Sequence, residues 1–421
     1  MPGLSEYSEI TEIQKQNKMK TIRLTYILSF LILQTTFIFS QEKNSIYQKA
    51  YAEYVKKDYN NTVNILKDDN LPSVKTDRYL MLKGDAYFKL KDFENALKYY
   101  KKAFKLKNKT AALKIAECFA ETNQHYKAVE YLKIYLKYPD KLLRSEIKLL
   151  PSFSNSENEK VWINFWKEKH YSSYEQKLDE AKYQISKENF AEAFDILDKL
   201  IIKNQKRHRA FEMRGDLLML TKDPKAAANS YLKASKIKKR NLTYKTKAAN
   251  AYRLADKNKI ADKIYTEIIN TDFYSPEILI NKAKNDIKLK KYDSAKKSIN
   301  TFLSFFPDNA EAHFIKGKLS YLQSEYINAL EELNESIKKD HSKYEYFIYC
   351  GDAYFKTKTY ESAVNNYLMA LDLNPKLPEV WYKKGIAEIK QYKYKEACED
   401  FKKAKSMNYN KADDYLIKYC K

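Results

Sequence analysis

Residues 345–375 read EYFIYCGDAYFKTKTYESAVNNYLMALDLNP, and residues 379–409 read EVWYKKGIAEIKQYKYKEACEDFKKAKSMNY. Laid over one another at a spacing of 34, Gly351 meets Gly385, Ala363 meets Ala397, Tyr367 meets Phe401, and Ala370 meets Ala404. A fixed period of this length is how a stacked array of helical hairpins shows itself in sequence. In the first segment Phe347, Cys350, Gly351 and Tyr354 fall at i, i+3, i+4 and i+7, one face of a helix. Thr359 is placed to cap a second helix, on which Ala363, Tyr367 and Ala370 share a face.

Outward from this pair, the small residues carry the pattern through the chain. Only six glycines occur, and five of them, Gly84, Gly215, Gly317, Gly351 and Gly385, occupy one repeat position. Ala50, Ala116, Ala181, Ala249 and Ala283 take the same position elsewhere. Twelve residues after each stands an alanine (Ala96, Ala128, Ala193, Ala227, Ala261, Ala295, Ala329, Ala363 or Ala397), with Thr62 the one departure. Gly costs a helix roughly 1 kcal/mol, so a mid-helix Gly needs a packing reason. That reason is a close crossing of two antiparallel helices, where only Gly or Ala leaves room for the neighbour's ring.

The series resembles the tetratricopeptide repeat: Trp381, Gly385, Ala397, Phe401 and Ala404 match its motif. So do Gly351, Tyr354, Ala363, Tyr367, Ala370 and Pro375, and Gly84, Tyr87, Ala96, Tyr100 and Ala103. The resemblance implies an all-α, right-handed superhelical solenoid of antiparallel helix pairs, with about ten repeats. It further implies a concave groove lined by the first helix of each repeat. Carried over by motif position, the groove would present Met81, Asp85 and Phe88, then Asp216, Asn250, Arg253 and Lys284. It would continue with Phe314, Lys318, Tyr321, Ile348, Asp352, Phe355, Tyr382 and Ile389. Apolar residues flank polar ones of varying sign, a surface suited to an extended or helical segment with alternating apolar anchors; packing against the neighbouring repeat is the alternative role for any one of them. Of the Lys/Asn/Arg clamp with which some family members hold a C-terminal carboxylate, only Asn250 matches, so a chaperone tail is not the expected ligand.

The organisation follows from this register. Residues 1–40 read as an N-terminal extension and a secretory signal peptide, with Met19 as the start and cleavage after Ser40: MKTIR is basic, Thr25–Phe39 apolar, and Ser40 small. The apolar run is shorter than a spanning helix needs; an uncleaved anchor is the alternative. Residues 41–142 hold repeat-like hairpins, the first degenerate, with Thr62 and Asp69 in place of alanines. Residues 143–173 lose the register and read as a helical spacer, with helices over Lys141–Leu150 and Glu157–Tyr171 and a capping box at Ser156 and Glu159. Trp162, Phe165 and Trp166 are either an exposed aromatic docking patch or the packing side of that spacer. Residues 174–411 hold seven contiguous repeats, beginning near Tyr174, His208, Leu242, Pro276, Ala310, Tyr344 and Pro378, and residues 412–421 read as a solvating C-terminal cap.

Composition narrows the function. The net charge is +23, and +22 without residues 1–40, which hold four Lys or Arg and three Asp or Glu. Such an excess favours polyanions or anionic membrane surfaces, but the lysines are spread over every repeat, usually beside Glu or Asp, as on solvated outer faces. Cys350 fits a buried small-apolar site. Cys398 and Cys420 could approach at the C-terminal end, where an oxidising compartment would permit a bridge, although spacing alone does not establish compatible geometry. No phosphate-binding Gly loop, H-E-x-x-H or G-x-S-x-G is present, and the five histidines have no metal-ligand spacing. No enzymatic activity, cofactor or metal is therefore expected. The leading expectation is an extracytoplasmic, periplasmic scaffold that holds protein or peptide partners in its groove, in bacterial envelope or secretion-complex assembly. The alternative is a basic helical-repeat protein binding nucleic acid or another polyanion, which the mixed-sign groove disfavours.

Overall fold

The computed structural model describes residues 46–67, 76–239, 241–271 and 275–420. The leader expected at 1–40 and Asp69 of the expected first repeat lie outside them. The described residues are all-helical, without strands, and fall into two compact units, residues 1–175 and 176–421. No described helix is long and apolar enough to cross a membrane.

Unit 1 pairs α1 (46–55) with α2 (Tyr59–Ile65), α3 (Thr76–Lys89) with α4 (Phe93–Lys105), and α5 (Thr110–Glu121) with α6 (His125–Leu136). The register then breaks into α7 (Arg144–Lys148), a 3-10 turn (Pro151–Ser156) and α8 (Lys160–Lys167), shorter helices than the sequence predicts. The expected capping box does not form, because the Ser156 hydroxyl lies 2.9 Å from His125 Nδ1 instead. The aromatic residues of this stretch are packing side rather than docking patch. Trp162 and Phe165 are buried and join the cluster of Phe119, Leu132 and Phe153.

Unit 2 continues from α9 (Ser173–Ser186), which starts just before the boundary, and α10 (Phe190–Lys203). Its hairpins then run α11 (His208–Leu220) with α12 (Pro224–Ile237), α13 (Leu242–Leu254) with α14 (Asn258–Ile269), and α15 (Glu277–Lys288) with α16 (Tyr292–Phe305). There follow α17 (Ala310–Leu322) with α18 (Tyr326–Lys339), α19 (Tyr344–Lys356) with α20 (Tyr360–Leu373), and α21 (Pro378–Ile389) with α22 (Tyr394–Ser406). A 3-10 turn (Asn410–Ala412) and α23 (Asp413–Tyr419) close the chain. From α10 to α23 each helix packs on the next in sequence, as expected of a solenoid in which a repeat touches only its neighbours.

The crossing position behaves as its steric reading requires. A Cβ added to Gly84, Gly215 or Gly351 would stand 2.5–2.7 Å from the ring of Tyr100, Tyr231 or Tyr367; at Gly385 it would meet Phe401 at 2.8 Å, and at Gly317 it would meet Leu333 at 2.7 Å. The partner always lies sixteen residues on. Where the small residue is Ala50, Ala116, Ala181 or Ala283, the residue sixteen on is Leu66, Leu132, Leu197 or Ile299, each fully buried. Glycine thus mostly accompanies rings and alanine aliphatic side chains, a volume balance that dense interiors demand; Gly317 with Leu333 and Ala249 with Tyr265 are the exceptions.

The turns inside the hairpins follow the same period without any glycine. Glu188, Lys222, Asp256, Lys290, Ser324, Lys358 and Tyr392 all have φ between 54° and 64°. A left-handed residue ends one helix so that the chain can reverse into the next. Thr359 occupies the N-cap position of α20, as expected, but its side chain makes no cap hydrogen bond and lies 3.3 Å from the Thr357 hydroxyl.

Candidate protein-binding groove

The first helices of consecutive hairpins place their polar positions directly after the crossing glycine. There the ring that fills the glycine's space carries its hydroxyl on to the next side chain. Tyr100, Tyr231 and Tyr367 donate to Asp85, Asp216 and Asp352 at 2.6, 2.7 and 2.7 Å, and Tyr265 donates to Asn250 at 2.7 Å. Burial first, and then the adjoining carboxylate, push the Tyr231 and Tyr367 hydroxyls well above the ordinary phenol range, so both remain donors. A lysine from the next hairpin completes both unit 2 aspartate sites. Lys247 Nζ lies 2.9 Å from Asp216 and 2.9 Å from Glu212, and Lys383 Nζ lies 3.0 Å from Asp352. Burial works against the Lys383 charge, but Asp352 and Glu379 outweigh it and raise its affinity for the proton.

Asp352, paired in this way with Lys383, lines a cavity of about 210 Å³ between α17, α19 and α21. Tyr321 supplies one wall, Phe355 and Ile386 the others, and Tyr367 rises from α20 beneath; Lys356 and Lys383 stand at the polar side. Phe355 is held by an edge contact to Tyr360 at 5.4 Å, and Tyr321 by contacts to Tyr326 and Tyr349 at 5.7 and 5.9 Å. The walls are therefore fixed by neighbours before anything enters. Such a cavity, mostly apolar with a paired acid and base at its floor, accepts an apolar side chain and offers hydrogen bonds to the backbone beside it.

All fifteen residues expected in the groove are half-buried, but they do not form one continuous site. Tyr321, Asp352 and Phe355 meet in the cavity just described. Phe314 stacks on Tyr346 at 4.6 Å, Lys318 stands 4.8 Å from the Tyr349 ring, and Ile348 packs on the cluster of Phe347 and Tyr367. Lys284 pairs with Glu311, and Arg253 reaches Asn281 at 3.5 Å. Tyr382 and Ile389 pack with Tyr415 and Leu416, so the chain's own last helix covers that end. In unit 1, Met81 and Asp85 line a separate cavity of about 390 Å³ with Tyr47, Tyr51, Tyr54 and Arg78, while Phe88 turns edge-on to Phe93 at 5.4 Å.

Sequence reasoning missed Lys247 and Lys383. The signal that could have found them is a Lys 31 residues after each Gly-Asp pair at Asp216 and Asp352.

The cysteines at the C-terminal end are joined. Cys398 of α22 and Cys420, just beyond α23, form a disulfide with a Cα–Cα distance of 5.5 Å, while Cys118 and Cys350 are buried thiols.

Family models described as TPR repeat and tetratricopeptide repeat match residues 351–391, 77–110 and 280–343. A DnaJ homolog subfamily C member 7 homolog of Dictyostelium discoideum is 24% identical over 163 residues, 34% of this chain and 30% of that protein. The match thus spans less than a third of that relative's length. A tetratricopeptide repeat protein from Parabacteroides merdae is 20% identical, with 59% of this chain and 99% of that one covered at a TM-score of 0.48. A chain in the crystal structure of an APC/C hetero-tetramer is 13% identical, with 88% of this chain and 82% of that one covered, also at 0.48.

Proposed function

We propose that this chain, a tetratricopeptide-repeat protein and hence a protein–protein interaction scaffold, holds a partner segment along the first-helix face of residues 310–389. An apolar side chain of the segment seats between Tyr321, Phe355 and Ile386. The observation that carries this reading is the cavity itself. It is walled by rings already locked in place, so little ordering entropy is lost on binding. Its acid is already paired, so no buried charge has to be stripped of its partner for an apolar anchor to enter.

The scaffold works outside the cytoplasm, in the assembly of envelope or secretion complexes. The leader-like residues 19–40 support this, and so does the Cys398–Cys420 bridge, since structural disulfides persist in oxidising compartments. Capture from solubilised envelopes, identified by mass spectrometry, tests the groove. Tyr321→Ala/Phe355→Ala should lose the partner while keeping the parent's helical circular dichroism, and capture undiminished by that pair would refute the groove reading. Fractionation tests the compartment, and a purely cytosolic, full-length product would refute it.

A further inference from the structure

The basic excess of this chain is not spread evenly. Residues 199–211 carry five Lys or Arg and residues 224–255 carry nine, with no Asp or Glu in either stretch. The fold brings parts of the two stretches, around residues 201–211 and 234–244, to one edge of unit 2. Ile201 at the end of α10 and Ile237 at the end of α12 pack on one small cluster of Phe211, Ala234 and Tyr244. His208 Nδ1, at the start of α11, lies 2.9 Å from the Tyr244 hydroxyl. This clamp fixes the ends of the two second helices and turns their neighbours outward. Lys203, Lys206, Lys233, Lys236 and Lys239 are exposed, and Ile202, beside Lys203 in the chain, is 79% exposed.

We propose that this edge is a docking surface for an anionic lipid bilayer, with the lysines over the headgroups and Ile202 entering the interface. Two features favour a bilayer over a nucleic acid. An exposed branched aliphatic side chain at an edge that also exposes several lysines matches a surface that is charged outside and apolar just beneath. A single strand, by contrast, is held by stacking on exposed rings, and the rings at this edge, Phe211 and Tyr244, are buried at 5% and 4% exposure. The cations are also mostly lysines on flexible stems, suited to a diffuse field of headgroups rather than to forked recognition of one phosphate. The groove is a separate face with a separate readout, so this proposal does not depend on partner capture.

The test is cosedimentation of the full chain with vesicles of phosphatidylcholine alone and of phosphatidylcholine with phosphatidylglycerol. Binding is expected only to the anionic vesicles, and it should weaken with salt. Each lysine near such a surface is worth roughly fivefold in affinity, so Lys203→Gln/Lys206→Gln/Lys236→Gln/Lys239→Gln should lose on the order of several hundredfold. Ile202→Ser should weaken vesicle binding several-fold and leave retention on heparin unchanged. All five side chains are exposed, and unchanged circular dichroism confirms that the variants fold. Equal binding to neutral vesicles would overturn the proposal, as would an undiminished quadruple variant. So would an Ile202→Ser variant that binds vesicles like the parent while heparin or an RNA oligomer displaces both, which would make the edge a generic polyanion site.

Discussion

Gly215 and Tyr231 share one space: a methyl group on the glycine would stand 2.5 Å from the tyrosine ring, whose hydroxyl donates to Asp216 at 2.7 Å. The same residue therefore fixes how closely α11 and α12 cross and how the first-helix face is furnished. Packing and recognition surface are coupled through one side chain, and the coupling recurs at Gly84 with Tyr100 and at Gly351 with Tyr367.

Gly215→Val should consequently lower the stability of unit 2 by about 3 kcal/mol, at the upper end of overpacking costs. The Tyr231 ring is 3% exposed and anchored at its hydroxyl, so it has no free direction in which to move. Urea denaturation followed by circular dichroism measures the loss. Adding Tyr231→Leu should recover part of it, because Leu or Ile is what the chain places opposite its alanines. A tolerated valine would show that the crossing is looser than described.

The hairpin turns offer a change in the other direction. Tyr392 is 80% exposed and has φ 63°, a conformation that disfavours a side chain by about 1 kcal/mol or more. Tyr392→Gly should raise the urea midpoint of the last repeat by the equivalent of about 1 kcal/mol. An unchanged or lowered midpoint would mean that the ring contributes packing through Tyr394, 6.4 Å away.

A pH dependence is built into the last hairpin. Lys384 faces two buried carboxylates, Glu388 at 2.6 Å and Asp400 at 2.8 Å, and one ammonium cannot neutralise both. Burial above all, opposed by Lys384 and reinforced by Glu388, pushes Asp400 up to about 7. In the unfolded chain an Asp titrates near 3.9. Between these values the folded state holds the extra proton, so the contribution of Asp400 to stability is fully present below about pH 4 and is lost as pH rises toward 7. Asp400→Asn should flatten that slope and exceed the parent in stability at pH 8, read as urea midpoints at pH 5 and pH 8. A parent and an Asp400→Asn variant with the same change between pH 5 and pH 8 would contradict the assignment.

The C-terminal cap depends on its disulfide. The helix α23 has seven residues, none of them buried, and too few to persist alone. Closing the 22-residue separation between Cys398 and Cys420 favours the docked state by about 3 kcal/mol in the chain-entropy picture. Cys420→Ser, or reduction by dithiothreitol, should therefore speed amide hydrogen exchange across residues 410–420 and leave α19 and α20 protected. Exchange unchanged by reduction would show that Tyr415 and Leu416 hold the helix by packing alone.

The repeat register was readable because its signal is steric: a residue small enough for the crossing must recur every 34 positions, whatever surrounds it. The turns were not readable, since Lys222, Ser324 and Tyr392 adopt the left-handed conformation without the glycine that would announce it. In the groove, the polar positions could be placed but not their partners. Asp352 takes its hydrogen bond from a tyrosine 15 residues on and its counter-charge from a lysine 31 residues on, in the next hairpin. Local patterns failed where a distant partner competed. The Ser156 hydroxyl turned to His125 rather than to its own helix, and Tyr382 and Ile389 met the cap instead of solvent.

Site-specific photo-crosslinking measures most directly whether the groove is where the chain does its work. A photoreactive phenylalanine at Phe355, on the cavity wall, should crosslink the partner retained from solubilised envelopes. The same group at Ile327, which is 71% exposed on the second helix α18, should not. Crosslinks from position 327 with position 355 silent would place recognition on the opposite face and contradict the account.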